Sequence, residues 1–116
     1  MKEYVLLFRM NISAEAKPTE GQMQVYMQQW MEWIGEIAAK GQLASGGNHF
    51  AESGKVLRPG GVMEDGPYTV NKESVAGYII ILSEDLEGAL AVAKNCPILQ
   101  GEGTSVEVRE TGMPGK

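Results

Sequence analysis

The sequence has little of the chemistry that marks the common classes of metal and redox proteins. It contains one cysteine, Cys96, and one histidine, His49. A single cysteine cannot form an internal disulfide, which excludes the disulfide framework of small secreted domains. One cysteine and one histidine cannot fill a zinc site. Haem binding would depend on His49 alone, because it is the only candidate for the axial ligand. We therefore expect no metal and no cofactor.

Long apolar runs and basic runs are also missing. The N-terminal segment MKEYVLLFRM has five consecutive apolar residues, 4–8, which is too short for the core of a signal peptide. No stretch approaches the roughly 18 apolar residues that a membrane-spanning helix needs. The ten Lys and Arg residues are scattered and the formal net charge is −5. We therefore expect a cytoplasmic protein with neither a nucleic-acid nor a membrane partner.

The sequence does contain a regular alternation of strand and helix patterns. EYVLLFR (3–9), QLASGG (42–47), GYIIIL (77–82) and TSVEVRE (104–110) are typical of strands. The segments GKVL and VME flank Arg58-Pro59-Gly60-Gly61 and predict a small hairpin, because Pro followed by Gly suits a type II turn. Residues 10–20 are expected to form a loop.

Two helices are predicted between the strands. The first is expected over 20–40, with Thr19 and Gln22 as a capping box and Gly41 at its end. The second is expected to begin after Ser83 as N-cap and to stop at Pro97. Their apolar stripes are Met23, Met27, Trp30, Ile34 and Ile37 in the first, and Leu86, Ala89, Leu90 and Ala93 in the second.

The resulting order is β-α-β-hairpin-β-α-β. This order predicts an α+β fold: a ferredoxin-like antiparallel sheet with an inserted hairpin and both helices on one face. The length of 116 residues indicates a single domain over 1–116. We expect the tail at 112–116 to fray.

Two strand segments, YVLLF and YIIIL, are apolar on both faces. A strand covered on one face alone should alternate apolar and polar residues. The predicted helices cover one face, and no predicted element remains for the other. We therefore expect a homodimer in which two sheets pack face to face.

Several motifs resemble those of a known family. Asp65-Gly66-Pro67-Tyr68 is followed by Lys72-Glu73 and Gly77-Tyr78, and CPILQGEGTSVEVRE lies near the C-terminus, at 96–110. This combination resembles the YCII-related family, and within it the branch named for its Asp-Gly-Pro-Phe (DGPF) motif. The aromatic residue of the motif is Tyr68 here, and Val70 and Asn71 stand where the branch usually has an acidic residue and a threonine.

The resemblance implies a dimeric α/β barrel of ferredoxin-like protomers and a bacterial source. It implies little about activity. Some relatives occur with sigma factors of the extracytoplasmic-function type. A few carry a proposed His/Asp enzymatic pair, and the wider barrel superfamily includes cofactor-independent monooxygenases, isomerases and haem proteins. A shared fold does not choose among these functions.

Six residues are candidates for a site. His49 and Asp65 could act as an acid/base pair, since imidazole titrates near neutral pH and the two glycines before His49 would permit close approach of a ligand. A solvated histidine and an Asp-Gly-Pro turn are the structural alternatives. The ligand-binding candidates are Tyr68, Lys72, Glu73 and Arg109.

Arg109 shares a strand face with Glu107 and could hold a carboxylate in a cleft between protomers. A solvated or dimer-edge ion pair is the alternative reading of that pair. Tyr26, Trp30 and Trp33 are interpreted as core, or else as an apolar ligand wall. Cys96 is expected at the C-terminal end of a helix, where the helix dipole does not favour a thiolate.

Two functions remain open. The first is small-molecule binding, or cofactor-independent catalysis, in a cleft near the hairpin. The alternative is a non-enzymatic accessory or regulatory module that acts through protein contacts. Convergence of the polar candidates on one concave surface favours the first, and scattered positions with an exposed apolar patch favour the second.

Overall fold

A central antiparallel sheet organises the protein. The computed structural model describes residues 1–11 and 19–112. The main elements, in chain order, are β1 (Lys2–Asn11), α1 (Glu20–Ala39), β2 (Leu43–His49), β3 (Gly54–Arg58), β4 (Val62–Gly66), β5 (Glu73–Ser83), α2 (Leu86–Ala93) and β6 (Thr104–Glu110), with short 3-10 turns at Pro59–Gly61 and Pro97–Gln100.

The strand order confirms the predicted fold. Four strands form one sheet in the order β2-β5-β1-β6, and all its described pairs are antiparallel. This is the ferredoxin-like arrangement, in which each helix connects strands that are not neighbours in the sheet. Strands β3 and β4 form a separate two-stranded hairpin, inserted between β2 and β5.

Helix α1 begins as predicted. The Thr19 hydroxyl accepts a hydrogen bond from the Gln22 N–H at 3.1 Å, and the Gln22 side chain accepts one from the Thr19 N–H at 2.9 Å. This reciprocal pair is a capping box. Gly41 follows the helix with a φ of 69°, a conformation that glycine adopts without steric cost.

The start of α2 differs from the prediction. The N-cap is Asp85, whose carboxylate accepts a hydrogen bond from the Gly88 N–H at 2.8 Å. Ser83 lies at the end of β5, and its hydroxyl donates to the Asp85 carbonyl at 2.9 Å. Ser83 therefore supports the cap residue and is not the cap itself.

The hydrophobic core lies between the two helices and one face of the sheet. Tyr4, Leu6 and Phe8 alternate along β1 and are buried. The remaining core residues come from β5, both helices and the turn after α2: Ile79, Ile81, Trp30, Trp33, Ile37, Ala89, Ala93, Cys96 and Ile98. Met23 and Met27 belong to the predicted α1 stripe but are exposed, so the N-terminal half of that stripe is not in the described core.

The opposite face of the sheet carries a second apolar surface, which we call the open face. Its apolar side chains come from the two central strands and are half-buried: Val5, Leu7, Val75, Tyr78, Ile80 and Leu82. Both helices pack on the core face, and the main contacts of the hairpin are between its own two strands. Among the described residues, no element covers the open face.

Two sequence predictions fall partly outside the described residues. The predicted loop at 10–20 includes residues 12–18, and β1 continues to Asn11 before them. The predicted frayed tail at 112–116 includes residues 113–116. Both segments lie outside the part of the chain that the structure describes.

Candidate functional site

His49 ends β2, at an edge of the sheet. It is exposed and pairs with Gly77 of β5. Its ring lies 6.1 Å from the Trp30 ring, centroid to centroid, in an edge-to-face arrangement, which places it on the helix side of the sheet. Its backbone N–H donates to the side chain of Asn48 at 3.0 Å. His49 therefore contacts the aromatic cluster of the core.

Gly47, the second of the two glycines before His49, serves the packing of two strands. Gly47 has a φ of 61°, and a Cβ built on it would lie 1.7 Å from the carbonyl oxygen of Tyr78 on β5. A Cβ on Gly77 would in turn lie 2.5 Å from the carbonyl oxygen of Asn48. At Gly47 the expectation of a close ligand is therefore wrong, because the group that approaches closely is the backbone of the neighbouring strand.

Asp65 lies on β4 of the hairpin, outside the four-stranded sheet. It pairs with Lys55 across β3 and β4, and its carboxylate accepts a hydrogen bond from the Lys55 ammonium. The Asp65 side chain is 91% exposed. Among the described residues, no hydrogen bond or ion pair joins Asp65 to His49.

An open depression lies at the base of the hairpin. It measures about 580 Å³ and is lined by Ser53, Gly54, Lys55, Asp65 and Gly66. The two glycines pair with each other across the hairpin, and an ideal Cβ on Gly66 would come within 3.0 Å of the Gly54 backbone. The depression therefore combines one cation, one carboxylate and closely packed backbone.

The Asp-Gly-Pro segment ends the hairpin, which agrees with the structural alternative given for it above. Strand β4 stops at Gly66, and the Gly66–Pro67 peptide bond is cis. Tyr68 follows and is exposed, with the guanidinium carbon of Arg58 5.6 Å from its ring centroid. This cation–π contact holds Tyr68 against one face of the hairpin.

Lys72 occupies a tight turn between Val70 and Glu73. The backbone N–H groups of Val70 and Glu73 donate to each other's carbonyl oxygens at 2.9 and 3.0 Å. Asn71 and Lys72 between them have φ angles of 53° and 67°. Two successive positive φ angles define a type I′ turn, in which the second position favours glycine. Lys72 is therefore a turn residue, and its positive φ is a backbone conformation that residues with a side chain disfavour.

Glu73 and Arg109 belong to a polar row on the open face. The Ser105 hydroxyl donates to Glu73 at 2.7 Å. Glu107 accepts from the Arg9 guanidinium at 2.6 Å and lies 3.9 Å from that of Arg109. This row runs along the margin of the apolar part of the open face.

The six candidates fall into separate groups within one protomer. Asp65 and Tyr68 lie on or beside the hairpin, and His49 lies at the β2 edge on the helix side. Arg109 lies on β6, at the other edge of the sheet, three strand positions away. Three strand spacings correspond to roughly 14 Å.

Sequence reasoning missed three polar residues of these groups. Lys55 and Arg9 each bind a carboxylate on a neighbouring strand. Ser105 of β6 binds the Glu73 carboxylate of β5, from which β1 separates it in the sheet. Arg9 follows Val5 and Leu7 at steps of two, so the sequence predicts that all three side chains lie on the same face of the sheet. The partner of Arg9 was not predictable, because cross-strand pairing depends on register.

The aromatic residues of α1 form core. Trp30 and Trp33 are buried in edge-to-face contact with each other, at 5.4 Å between ring centroids. The Trp33 indole N–H donates to the Val92 carbonyl at 3.2 Å. The Trp30 indole N–H has no hydrogen-bond partner among the described residues.

Cys96 is buried beside this core, and burial raises the pKa of its thiol to about 12. Within residues 1–11 and 19–112, no three His, Cys, Asp or Glu side chains are placed to hold a metal ion. No helix in that part of the chain is long and apolar enough to span a membrane.

The sheet order, the two helices on one face and the inserted hairpin define a ferredoxin-like α+β protein. A family model, the YCII-related domain, matches residues 5–111. The chain therefore belongs to the YCII-related family. A search of curated proteins found no match to it.

Proposed function

We propose that this protein binds a small polar molecule in the depression at the base of the hairpin. The observation that supports the proposal is the pairing of Lys55 with Asp65 inside an open depression of about 580 Å³. Small-molecule sites are concave and hold a small number of placed polar groups, including backbone N–H and C=O groups and charged residues, that fix the orientation of the ligand. Because the Asp65 side chain is 91% exposed, a ligand at this site would replace water that solvates the carboxylate.

Binding is a better proposal for this site than catalysis. Catalytic carboxylates are tuned by burial or by close neighbouring charges in a cleft that excludes water. Asp65 is exposed and already paired with Lys55. His49, the predicted acid/base partner, lies at the edge of the sheet and contacts Trp30 of α1. We therefore assign Asp65 and Lys55 the role of ligand anchors.

A fragment screen by saturation-transfer NMR tests this assignment. The probes are small carboxylates, small amines and amino acids. We expect Asp65→Asn to lose the amines and Lys55→Gln to lose the carboxylates. The matched control is Glu64→Gln. Glu64 is adjacent to Asp65 in the sequence and pairs with Arg58, but it does not line the depression. Fragments that bind wild type and all three variants equally would place the site elsewhere.

We also propose that the protein is a homodimer formed through the open face. The support is the composition of that face: an apolar centre on β1 and β5, with polar side chains along its margin. Monomers seldom leave such a surface open to water, and an apolar centre with a polar rim is typical of protein interfaces. The second copy would supply the covering layer that this chain lacks among its described elements.

Sedimentation velocity tests the homodimer. We expect a dimer of the wild-type chain at micromolar concentration and a monomer for Ile80→Glu, which places a charge in the apolar centre. Met31→Glu is the control, since Met31 is an exposed apolar residue of α1 and should leave the dimer intact. Equal mass for Ile80→Glu and wild type would count against this interface.

A second function, an accessory module that acts through protein contacts, has its own support. His49, Asp65 and Arg109 do not converge within one protomer, and apolar side chains are exposed on the hairpin. Failure of every fragment to bind the depression, together with an intact dimer, would make this function the preferred one.

A further inference from the structure

The hairpin formed by β3 and β4, which we call the arm, has an apolar face that the described part of its own chain leaves exposed. Leu57 and Met63 pair directly across the two strands. Their exposed fractions are 77% and 63%, among the largest of any apolar side chain described. Neighbouring positions on the same face hold Lys55 and Asp65, because side chains alternate along a strand. The arm therefore presents a Leu–Met pair flanked by an ion pair.

The arm is too small to be stable without support. An isolated two-stranded hairpin is marginal in water and needs packing against another surface. The main contacts of β3 and β4 are with each other, and neither makes substantial contact with the four-stranded sheet. Among the described residues no other element supplies that support, which makes a surface outside this protomer the candidate.

We propose that the arm packs on a second copy of this chain, at the margin of the open face, so that each protomer of the dimer clasps the other. This proposal rests on the homodimer proposed above. It adds the element that completes the interface and places Lys55 and Asp65, the anchors of the depression, where two protomers meet.

Area supports a second copy as the occupant. The four strands have seven to eleven residues each and present roughly 550 Å² in projection. A stable interface buries about 800 Å² per partner. An arm of two five-residue strands adds roughly 160 Å². In a two-fold dimer each protomer buries its open face and its own arm, roughly 710 Å². This lies within the roughly 600–1,000 Å² per partner of standard interfaces.

Charge and continuity agree with this occupant. The four charged residues of the arm form two internal pairs, Lys55–Asp65 and Arg58–Glu64. The arm is therefore neutral in a chain of net charge −5 and can approach a second acidic copy without net repulsion. Phe50, at the base of the arm, lies 6.0 Å from the Tyr78 ring. It connects the apolar surface of the arm region to the open face.

A pair of variants tests the contact. Leu57→Glu places a charge on the apolar face of the arm, and Val62→Glu places the same charge on the opposite face, where Val62 pairs with Arg58. We expect sedimentation to show dimer dissociation at least about tenfold stronger for Leu57→Glu, with Val62→Glu close to wild type. Both positions are exposed, so thermal unfolding should confirm that both variants fold.

A cross-linking experiment identifies the occupant. A benzophenone amino acid at position 63 is irradiated in an equal mixture of ¹⁴N- and ¹⁵N-labelled protein. We expect cross-linked peptides of mixed isotope content, joining the arm of one copy to the other copy. Cross-links within one copy alone, or none, would overturn the proposal.

The outcomes separate the two proposals. A wild-type monomer at all concentrations would overturn both the homodimer and the clasp. A wild-type dimer that Leu57→Glu leaves intact would retain the homodimer and overturn the clasp. Fragment binding at the depression is measured separately and can survive either result.

Discussion

Gly47 of β2 and Tyr78 of β5 make a backbone contact that admits no side chain at the glycine. A Cβ at Gly47 would lie 1.7 Å from the Tyr78 carbonyl oxygen, and the φ of Gly47 is 61°. The contact falls where the register of the two strands shifts, between Ser45 and Asn48. The glycine therefore fixes the irregular end of β2 that carries His49.

Gly47→Ala should destabilise the protein by at least about 2 kcal/mol. The change adds both a backbone clash and a left-handed residue with a Cβ, and such changes belong to the large-effect classes of mutation. Gly46→Ala is the matched control, because a Cβ there meets nothing within 4 Å and φ is not positive. Urea denaturation of both variants measures the difference. Equal stability would mean that β2 relaxes at no cost.

Much of the fold was readable from local sequence. The last strand was predicted as 104–110 and is found as Thr104–Glu110, because its alternation of apolar and polar residues is regular. The capping box of α1 was also predicted, because Thr19 and Gln22 form a local motif of fixed spacing. The N-cap of α2 was not, since Ser83 and Asp85 are both good capping residues and three-dimensional contacts decide between them.

The candidate site was less readable. Glu107 and Arg109 were correctly placed on one face of a strand, because that needs periodicity alone. The Lys55–Asp65 pair and the Arg9–Glu107 pair were missed, because each joins residues whose proximity depends on strand register. The role of Gly47 was misread for a similar reason: the close neighbour of a glycine belongs to another strand.

Lys72→Gly should stabilise the protein by about 0.5–1 kcal/mol. Lys72 holds the second position of a type I′ turn at a φ of 67°, where glycine is unstrained. Thr69→Gly is the control, because Thr69 precedes the turn and has no positive φ; this change should be neutral or slightly destabilising. Thermal unfolding measures both. A less stable Lys72→Gly variant would indicate that the lysine side chain makes a contact that stabilises the fold.

Glu107→Gln should cost about 1 kcal/mol of stability, since it removes the charge partner of a half-buried guanidinium. The Arg9 side chain is 28% exposed and lies 2.6 Å from Glu107. Glu110→Gln is the control: its pair with Lys2 spans 3.7 Å and both side chains are more than half exposed. Chemical denaturation at low and high salt should show a difference that persists in salt for Glu107. Equal effects at both positions would mean that Arg9 is already solvated.

Cys96 should resist thiol reagents while the protein is folded. Burial raises its pKa from 9.0 to about 12, so at pH 9 only about one folded molecule in a thousand carries the reactive thiolate. Because the folded pKa is the higher one, the neutral thiol contributes stability below pH 9.0. That contribution is lost as the pH rises towards 12.

Reaction with a disulfide reagent at pH 8, in buffer and in guanidinium chloride, measures this protection. The native rate should be far below the denatured rate, and it should approach the denatured rate only as the protein unfolds. A Ser53→Cys, Cys96→Ser variant provides the control, since Ser53 is exposed and should react at similar rates in both states. Fast native labelling of Cys96 would show that the end of α2 opens, and that the core beneath it is accessible to small molecules.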